Sequence, residues 1–439
     1  MNATAPEAST RRARYALALM AGVTVLNVMD RQLLAVLIDP IKRDLGASDA
    51  AMGLLTGTSF AILHVVATLP IAVWADRGVR RSIIALGLAV WSGLTLMTAF
   101  TRSYAEIFFI RVGVGIGEAT GGSPAQSLLS DLFPPQRRAT ALSILVMGGP
   151  LGSMVAFAAG GWLADLYGWR TAFVCFGAPG LVLALLIRTT LREPKRGAFD
   201  TRAGAAAGAT DEVGDSVPFV KAVRFLISVP SIRGFVLASG LNTVGIYAVL
   251  VWSVPYMTRV HTLPTGEAGI RLAIASGLFT ALGTLTAGPI ADRLAMRDMR
   301  WLAWLPALTS ALALPFGLGF AFASDGAWAS GLLAPASFLV GMYFGPVFSA
   351  VQTLAAPQTR ALAAALITTT NNILGLGVAP PLVGWLNDIG AASYGVEAIR
   401  YSLGAILFVH LGAAALLLRA SATLIGDLDA KDRFQESHS

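Results

Sequence analysis

The chain has 439 residues, of which 55% are hydrophobic and only 13% carry a charge. Soluble globular domains carry about twice that share of charged residues, so the composition predicts an integral membrane protein. A membrane-spanning helix needs roughly 20 apolar residues, so about twelve helices would leave only connecting loops and exclude a soluble catalytic domain. The excess of 32 Lys and Arg over 25 Asp and Glu is explained by anionic lipid surfaces, without any nucleic-acid partner.

The cysteine and histidine content argues against metal and disulfide scaffolds. Cys175 is the single cysteine and cannot form an internal disulfide, and the four histidines lack the spacing of metal ligands. No paired nucleophile and base, and no phosphate-binding loop, occurs in the apolar runs. We therefore predict no metal site, no cofactor and no enzymatic activity.

Six apolar runs occupy the first half of the chain. The first run, near 14–38, follows Arg11, Arg12 and Arg14 and is too long for a cleaved signal peptide. It predicts an uncleaved first helix with a cytoplasmic N-terminus. The other five predicted spans lie near 51–74, 82–101, 104–128, 139–164 and 169–190.

A polar stretch at 191–230 separates the two halves and is predicted to be a flexible cytoplasmic linker. Its centre is the small-residue sequence AGAAAGAT at 203–210. Six further spans are predicted near 232–257, 268–291, 301–323, 329–352, 360–387 and 396–418. We therefore expect an N-terminal six-helix bundle at 1–190, the linker at 191–230, and a C-terminal six-helix bundle with a short tail at 231–439. The Arg and Lys residues gather in loops that would share one side, so both termini are predicted to be cytoplasmic.

Short sequences recur at matched places in the two halves. Asp76-Arg77 recurs as Asp292-Arg293, 216 residues later. The sequence GWLAD at 161–165 recurs as GWLND at 384–388, 223 residues later. A third pair, PQRRA at 135–139 and PQTRA at 357–361, is offset by 222 residues. Three registers at nearly one offset predict two bundles related by an axis along the membrane normal.

Four charged residues lie well inside the first and fourth predicted spans, away from the span ends, where an ionised side chain is costly unless it is paired or hydrated. Asp30 and Arg31 lie in the first span, and Arg111 and Glu118 lie in the fourth. Their charges sum to zero, which predicts a mutually compensating cluster. At about 1.5 Å per residue, Asp30 and Arg111 are expected at the same depth, with Glu118 nearer the cytoplasm.

The chemistry of these side chains suggests their roles. A carboxyl group can gain or lose a proton in a protein, whereas a guanidinium keeps its charge. Asp30 and Glu118 are therefore the predicted proton carriers, and Arg111 is predicted to bind an anionic substrate group once Asp30 is protonated. A purely structural role for these ion pairs stays open. His64, in the second span, fits a helix-bridging residue as well as a proton relay, and it stays outside the predicted site.

The second half carries essentially no charge inside its spans. Its polar side chains there are amides, tyrosines and threonines, of which Asn371 and Asn372 fall where the eleventh helix would border a central cavity. The predicted cavity is therefore asymmetric. A charged headgroup would bind Arg31 or Arg111, and an apolar tail would lie against the C-terminal bundle.

The sequence AVWADRGVRR at 72–81 resembles the loop between helices 2 and 3 of the major facilitator superfamily, and the resemblance extends over nearly the whole chain. It implies an all-α fold of twelve membrane helices in two bundles. Plain positive-inside anchoring would explain the arginines of this loop but not the repeated aspartate. The repeated sequences are therefore interpreted as a cytoplasmic gate made of Asp76, Arg77, Arg80, Arg81, Asp292 and Arg293.

A second resemblance narrows the family. The sequence NVMDRQ at 27–32, which adds Asn27 to the predicted site, and RVGVGIGEA at 111–119 are together similar to the spinster branch of that superfamily. This resemblance implies a proton-linked exporter of lysolipids or sphingolipids. It suggests a monomeric bacterial inner-membrane protein whose partners are membrane lipids, protons and an amphipathic substrate. A multidrug, small organic anion or sugar phosphate transporter stays open, as does a receptor that does not transport.

Overall fold

The computed structural model describes residues 4–194, 219–355 and 359–436, and within these ranges the chain forms helices and no β-strand. Ten stretches of the described residues are long and apolar enough to cross a membrane. The predicted all-α fold is confirmed, while the count of twelve crossings and the side of the termini stay predictions. Residues 195–218, which include most of the predicted linker, and residues 356–358, which include the first two residues of PQTRA, lie outside the described residues.

The first compact unit contains the described residues of 4–47, 59–194 and 265–269. Its helices are Thr4–Val36, Ile38–Leu45, most of Thr58–Arg77, Arg80–Thr98, Tyr104–Glu118, Ser123–Ser130, Pro135–Val155, Gly161–Tyr167 and Trp169–Thr190.

The second compact unit contains the described residues of 48–58, 219–264 and 270–436. Its helices are Asp49–Thr56, Phe219–Ser228, Pro230–Arg259, the end of Thr265–Leu272, Phe279–Ala295, Trp301–Ala321, Gly326–Gly341, Phe344–Leu354, Arg360–Asn371, Ala379–Tyr394, Ala398–Leu407 and Val409–Glu436. The helix Phe219–Ser228 shows that the end of the predicted linker is helical. Each unit thus includes one short segment from the opposite half of the sequence.

The fourth predicted span is not the single helix expected over 104–128. The helix that begins at Tyr104 ends at Glu118, and a new helix begins at Ser123. Residues 119–122 are not helical because Gly121 and Gly122 favour irregular backbone and Pro124 fits only the first turn of a new helix. The break leaves Glu118 at the end of its helix, next to open space.

Among the described residues, three membrane helices contain a π-helical segment, at Ala156–Gly160, Ala273–Leu278 and Asn372–Val378. The first and third directly precede the helix that carries a GWLxD repeat in each half. A π-helical turn holds an extra residue and shifts the register of the side chains that follow it. The two halves therefore share a local distortion as well as a sequence.

The GWLxD repeat makes the same contact in both units. In the first unit, Gly161 packs against the carbonyl oxygen of Thr265. Asp165 accepts a hydrogen bond from the backbone N–H of Gly266 at 2.6 Å, at the start of the helix Thr265–Leu272. A carboxylate at this position satisfies an N–H that has no partner inside the helix.

In the second unit, Gly384 packs against the carbonyl oxygen of Asp49. Asp388 accepts hydrogen bonds from the backbone N–H groups of Asp49 at 3.0 Å and Ala50 at 2.8 Å, at the start of the helix Asp49–Thr56. The side chain of Asp49 is itself paired with Arg259, whose Nη2 lies 3.0 Å from Oδ1. We call these two arrangements the helix-start clamps.

Candidate substrate and proton site

The four charged residues predicted to form a cluster come together in the first unit as two ion pairs. Arg111 donates from Nη1 to Oδ2 of Asp30 at 3.2 Å, and Arg31 donates from Nη2 to Oε2 of Glu118 at 2.8 Å. The pairing of Asp30 with Arg111 agrees with their predicted depth. Neighbouring residues Asp30 and Arg31 point in different directions around their helix, and each pairs with a different residue of the helix Tyr104–Glu118.

The Asp30 and Arg111 pair is buried. The side chain of Arg111 is 1% exposed and that of Asp30 is 6% exposed. Thr95 donates a second hydrogen bond to the carboxylate, at 2.7 Å from Oδ1. Within the described part of the chain, Nε and Nη2 of Arg111 donate no hydrogen bond although both are buried, so this guanidinium depends on one carboxylate for its compensation.

The Arg31 and Glu118 pair is more open on one side. The side chain of Arg31 is 17% exposed, whereas that of Glu118 is fully buried. Asn27, one turn before Arg31, accepts a longer hydrogen bond from Nη2 at 3.4 Å. Oε1 of Glu118 is buried and has no hydrogen-bond partner among the described residues, so a proton added to this oxygen would break no existing contact.

Phe60 links the two ion pairs, and the sequence analysis did not identify it. The ring of Phe60 is fully buried, with the guanidinium carbon of Arg31 at 4.4 Å from its centroid and that of Arg111 at 5.8 Å. Both guanidiniums therefore gain a cation–π contact from one ring. An isolated aromatic residue in an apolar span carries no sequence signal that separates it from core residues.

A cavity of about 220 Å³ in the first unit adjoins the more open pair. Arg31 and Glu118 line one part of it, and the non-helical residues Gly121 and Gly122 line another. Gly122 has open space around it. Arg111 is not among the lining residues. The apolar part of the wall is formed by side chains that include Val23, Leu145 and Val146.

His64 also lines this cavity, although the sequence analysis left it outside the site. Its Nδ1 lies 3.2 Å from the carbonyl oxygen of Gly115, and its ring stacks on Phe60 with centroids 5.0 Å apart. Its position four residues after Phe60 was visible in the sequence. The cavity that the helices Thr58–Arg77 and Tyr104–Glu118 both border was not.

The predicted cytoplasmic gate residues do not all behave alike. Arg80 is buried and binds Asp131 at 2.6 Å and Glu193 at 2.9 Å, both in its own unit. Glu193 also accepts from the backbone N–H of Arg81 at 2.9 Å. The side chains of Arg77, Asp292 and Arg293 are exposed; that of Asp76 lies outside the described residues. The role of these residues as a gate stays a prediction.

The second unit contains the remaining predicted residues, Asn371 and Asn372, at the junction between the helix Arg360–Asn371 and the π-helical segment after it. Whether these amides border the substrate cavity stays a prediction. The same unit also buries a polar pair that the sequence analysis missed, because His410 forms a hydrogen bond with Oδ1 of Asn242 inside the membrane-spanning region.

The fold and the paired charges define a class of membrane transporter. The family model described as Major Facilitator Superfamily matches residues 20–380, so the chain belongs to that superfamily. It is a multi-pass integral membrane protein, a transporter rather than an enzyme, and its relatives are consistent with a bacterial inner membrane.

Individual relatives place the chain near the spinster proteins. It is 34% identical over 417 residues to an "MFS-type efflux pump" of Mycolicibacterium smegmatis, covering 95% of this chain and 91% of the relative. It is 30% identical over 242 residues to "Sphingosine-1-phosphate transporter SPNS2" of Danio rerio, covering 54% and 46%. A crystal structure described as a bacterial homolog of the human lysosomal transporter Spinster, inward-facing and unoccupied, matches with a TM-score of 0.86 at 26% identity, covering 95% and 98%. The predicted resemblance to the spinster branch is confirmed.

Proposed function

We propose that this transporter couples proton movement to the transport of an anionic amphipathic substrate, in particular a lysolipid or a sphingolipid, by alternating access. The observation that carries the proposal is the Arg31 and Glu118 ion pair on the wall of a cavity that also has apolar lining. The similarity to a sphingosine-1-phosphate transporter supports the substrate class.

Coupling follows from competition for Arg31. An ionised Glu118 holds Nη2 of Arg31, whereas a protonated Glu118 no longer attracts the guanidinium and leaves it for the phosphate of a substrate. A guanidinium can bind a phosphate through two parallel hydrogen bonds, which a lysine cannot reproduce. Protonation of Glu118 and binding of the anionic headgroup are therefore thermodynamically linked.

The buried pair is proposed to be the second proton position. The sequence analysis favoured Arg111 as the group that binds the substrate, but Arg31 lines the cavity and Arg111 does not. We therefore assign the headgroup to Arg31 and keep Arg111 as the counterion of Asp30. Phe60 contacts both guanidiniums, so movement of Arg31 toward a substrate would change the surroundings of the Asp30 and Arg111 pair.

A second candidate is export of drugs or small organic anions. It is favoured by the similarity to a mycobacterial efflux pump, and Arg31 would bind a carboxylate as well as a phosphate. The apolar wall around Val23 and Leu145 favours a ligand with a tail. Binding of a radiolabelled lysophosphatidate distinguishes the two functions. Under the proposed function the lipid binds and neither sugar phosphates nor cationic dyes displace it; under the second function the lipid fails to bind or is displaced by one of them.

Replacement of Glu118 by Gln tests the coupling. The change keeps the shape of the side chain and removes its titration. We therefore expect Glu118→Gln to bind lysophosphatidate but to lose uphill transport of this lipid when a pH gradient is applied to proteoliposomes. Glu106→Gln is the matched control, since Glu106 is an exposed acid in the first turn of the same helix. Full uphill transport by Glu118→Gln would show that this acid is structural.

A further inference from the structure

His64 is held in one orientation by the packing of two helices. The helix Thr58–Arg77 meets the helix Tyr104–Glu118 at Gly115, where a side-chain carbon would lie 2.8 Å from the carbonyl oxygen of Phe60. Only glycine permits this approach, and it brings the carbonyl oxygen of Gly115 within 3.2 Å of Nδ1 of His64. The stacked ring of Phe60, at an interplanar angle of 20°, removes the remaining freedom of the imidazole.

This contact fixes which ring nitrogen carries the hydrogen. A carbonyl oxygen only accepts hydrogen bonds, so Nδ1 must be the donor. In a neutral imidazole, Nε2 is then an acceptor. A neutral ring is also the form that avoids a second cation beside Arg31, which contacts the same Phe60 ring.

The ring that carries this acceptor nitrogen forms part of the cavity wall. His64 lines the cavity together with Arg31 and Glu118, and none of the residues that the structure describes forms a hydrogen bond with Nε2. The cavity wall therefore presents an anion-binding guanidinium and a fixed hydrogen-bond acceptor within one space. These two groups suit a ligand that carries an anionic group and a hydrogen-bond donor close together.

We propose that His64 forms a substrate subsite that accepts a hydrogen bond from a hydroxyl or ammonium group next to the anionic group of the substrate. The inference rests on the proposed function and defines its substrate class more narrowly. A ligand with an anion alone would bind Arg31 and displace water from Nε2 without replacing the hydrogen bond that the water supplied. Sites that hold such polar groups discriminate against ligands that lack the matching donor.

Equilibrium binding of two lipids to the purified protein tests the subsite. The probes are a lysophosphatidate with a free hydroxyl next to its phosphate and the same lipid with that hydroxyl methylated. We expect the unmutated protein to prefer the free hydroxyl by about tenfold, the effect of one hydrogen bond. His64→Asn should abolish the preference, because its amide nitrogen can still donate to Gly115 but has no group at the place of Nε2.

His64→Gln is the matched variant, because its longer side chain can place an amide oxygen near the position of Nε2, and we expect it to keep part of the preference. Equal affinity of the unmutated protein for both lipids would overturn the His64 subsite alone. Absence of binding by either lipid would overturn the proposed substrate class and the subsite with it. A preference that persists in His64→Asn would place the hydrogen-bond acceptor elsewhere.

Discussion

The two ion pairs of the site differ in how much each arginine relies on its carboxylate partner to compensate its charge. Arg111 is 1% exposed, whereas Arg31 is 17% exposed and borders a cavity that water can enter. An uncompensated buried charge costs about 3–5 kcal/mol, and contact with water lowers that cost. Asp30, the partner of Arg111, should therefore matter more for folding. Glu118, the partner of Arg31, should matter more for coupling.

We expect Asp30→Asn to lower the free energy of unfolding by about 3 kcal/mol, because it leaves Arg111 without an acid. Glu118→Gln should lower it by less than Asp30→Asn does, since Arg31 borders the cavity and can be hydrated there. Chemical denaturation in detergent micelles measures both changes. The double variant Asp30→Asn with Arg111→Gln should recover most of the loss. Equal destabilisation by the two single variants would contradict the distinction between the pairs.

At the scale of helices, the two helix-start clamps show why the GWLxD sequence recurs. Gly161 and Gly384 stand where a helix touches the backbone of another segment, and the aspartate four residues later binds the N–H groups at the start of that segment. The spacing of four residues places both on one face of the helix. A small residue and an acid at this spacing are both needed for the contact.

Alanine at either clamp glycine is expected to lower the thermal unfolding temperature. The added methyl group would overlap the carbonyl oxygen of Thr265 in Gly161→Ala and that of Asp49 in Gly384→Ala, and the segments must separate. Gly331→Ala is the control, because Gly331 lies in the helix Gly326–Gly341 with open space around it. Alanine there should keep or raise stability, since it favours helix by about 1 kcal/mol. Unchanged stability of both clamp variants would show that the segments separate at no cost.

At the scale of the whole molecule, the loop charges predict which side of the membrane each segment faces. Single cysteines at the N-terminus, at Gly208 and at the C-terminus should react only with reagents that enter the cytoplasm. Ser324→Cys should react from outside. The experiment needs a Cys175→Ala background, because Cys175 is exposed. The external cysteine is placed at Ser324 and not at the neighbouring Asp325, because Asp325 caps a helix by accepting hydrogen bonds from the N–H groups of Ala327 and Trp328. Labelling of Gly208→Cys from outside intact cells would contradict the arrangement.

Much of the fold follows from the sequence, because burial in a membrane imposes a simple pattern. Each membrane helix needs a long apolar run, and the runs near 169–190 and 301–323 correspond to the helices Trp169–Thr190 and Trp301–Ala321. Breaks inside the runs were less visible. Gly57 divides the second predicted span, and residues 119–122 divide the fourth, because a break depends on what packs beside the helix as well as on its own residues.

The sequence by itself determined the membrane class, the repeated halves and the four charged residues, since a charge in an apolar run and a repeat at a constant offset are both visible without coordinates. It also predicted that Asp30 would meet Arg111, because helix rise converts residue number into depth. Only the tertiary structure decided that Arg31 rather than Arg111 borders the cavity and that His64 lines the same cavity. It alone also placed Phe60 in contact with both guanidiniums. These facts depend on the rotation of each helix and on the close approach at Gly115, which are set by packing against other helices.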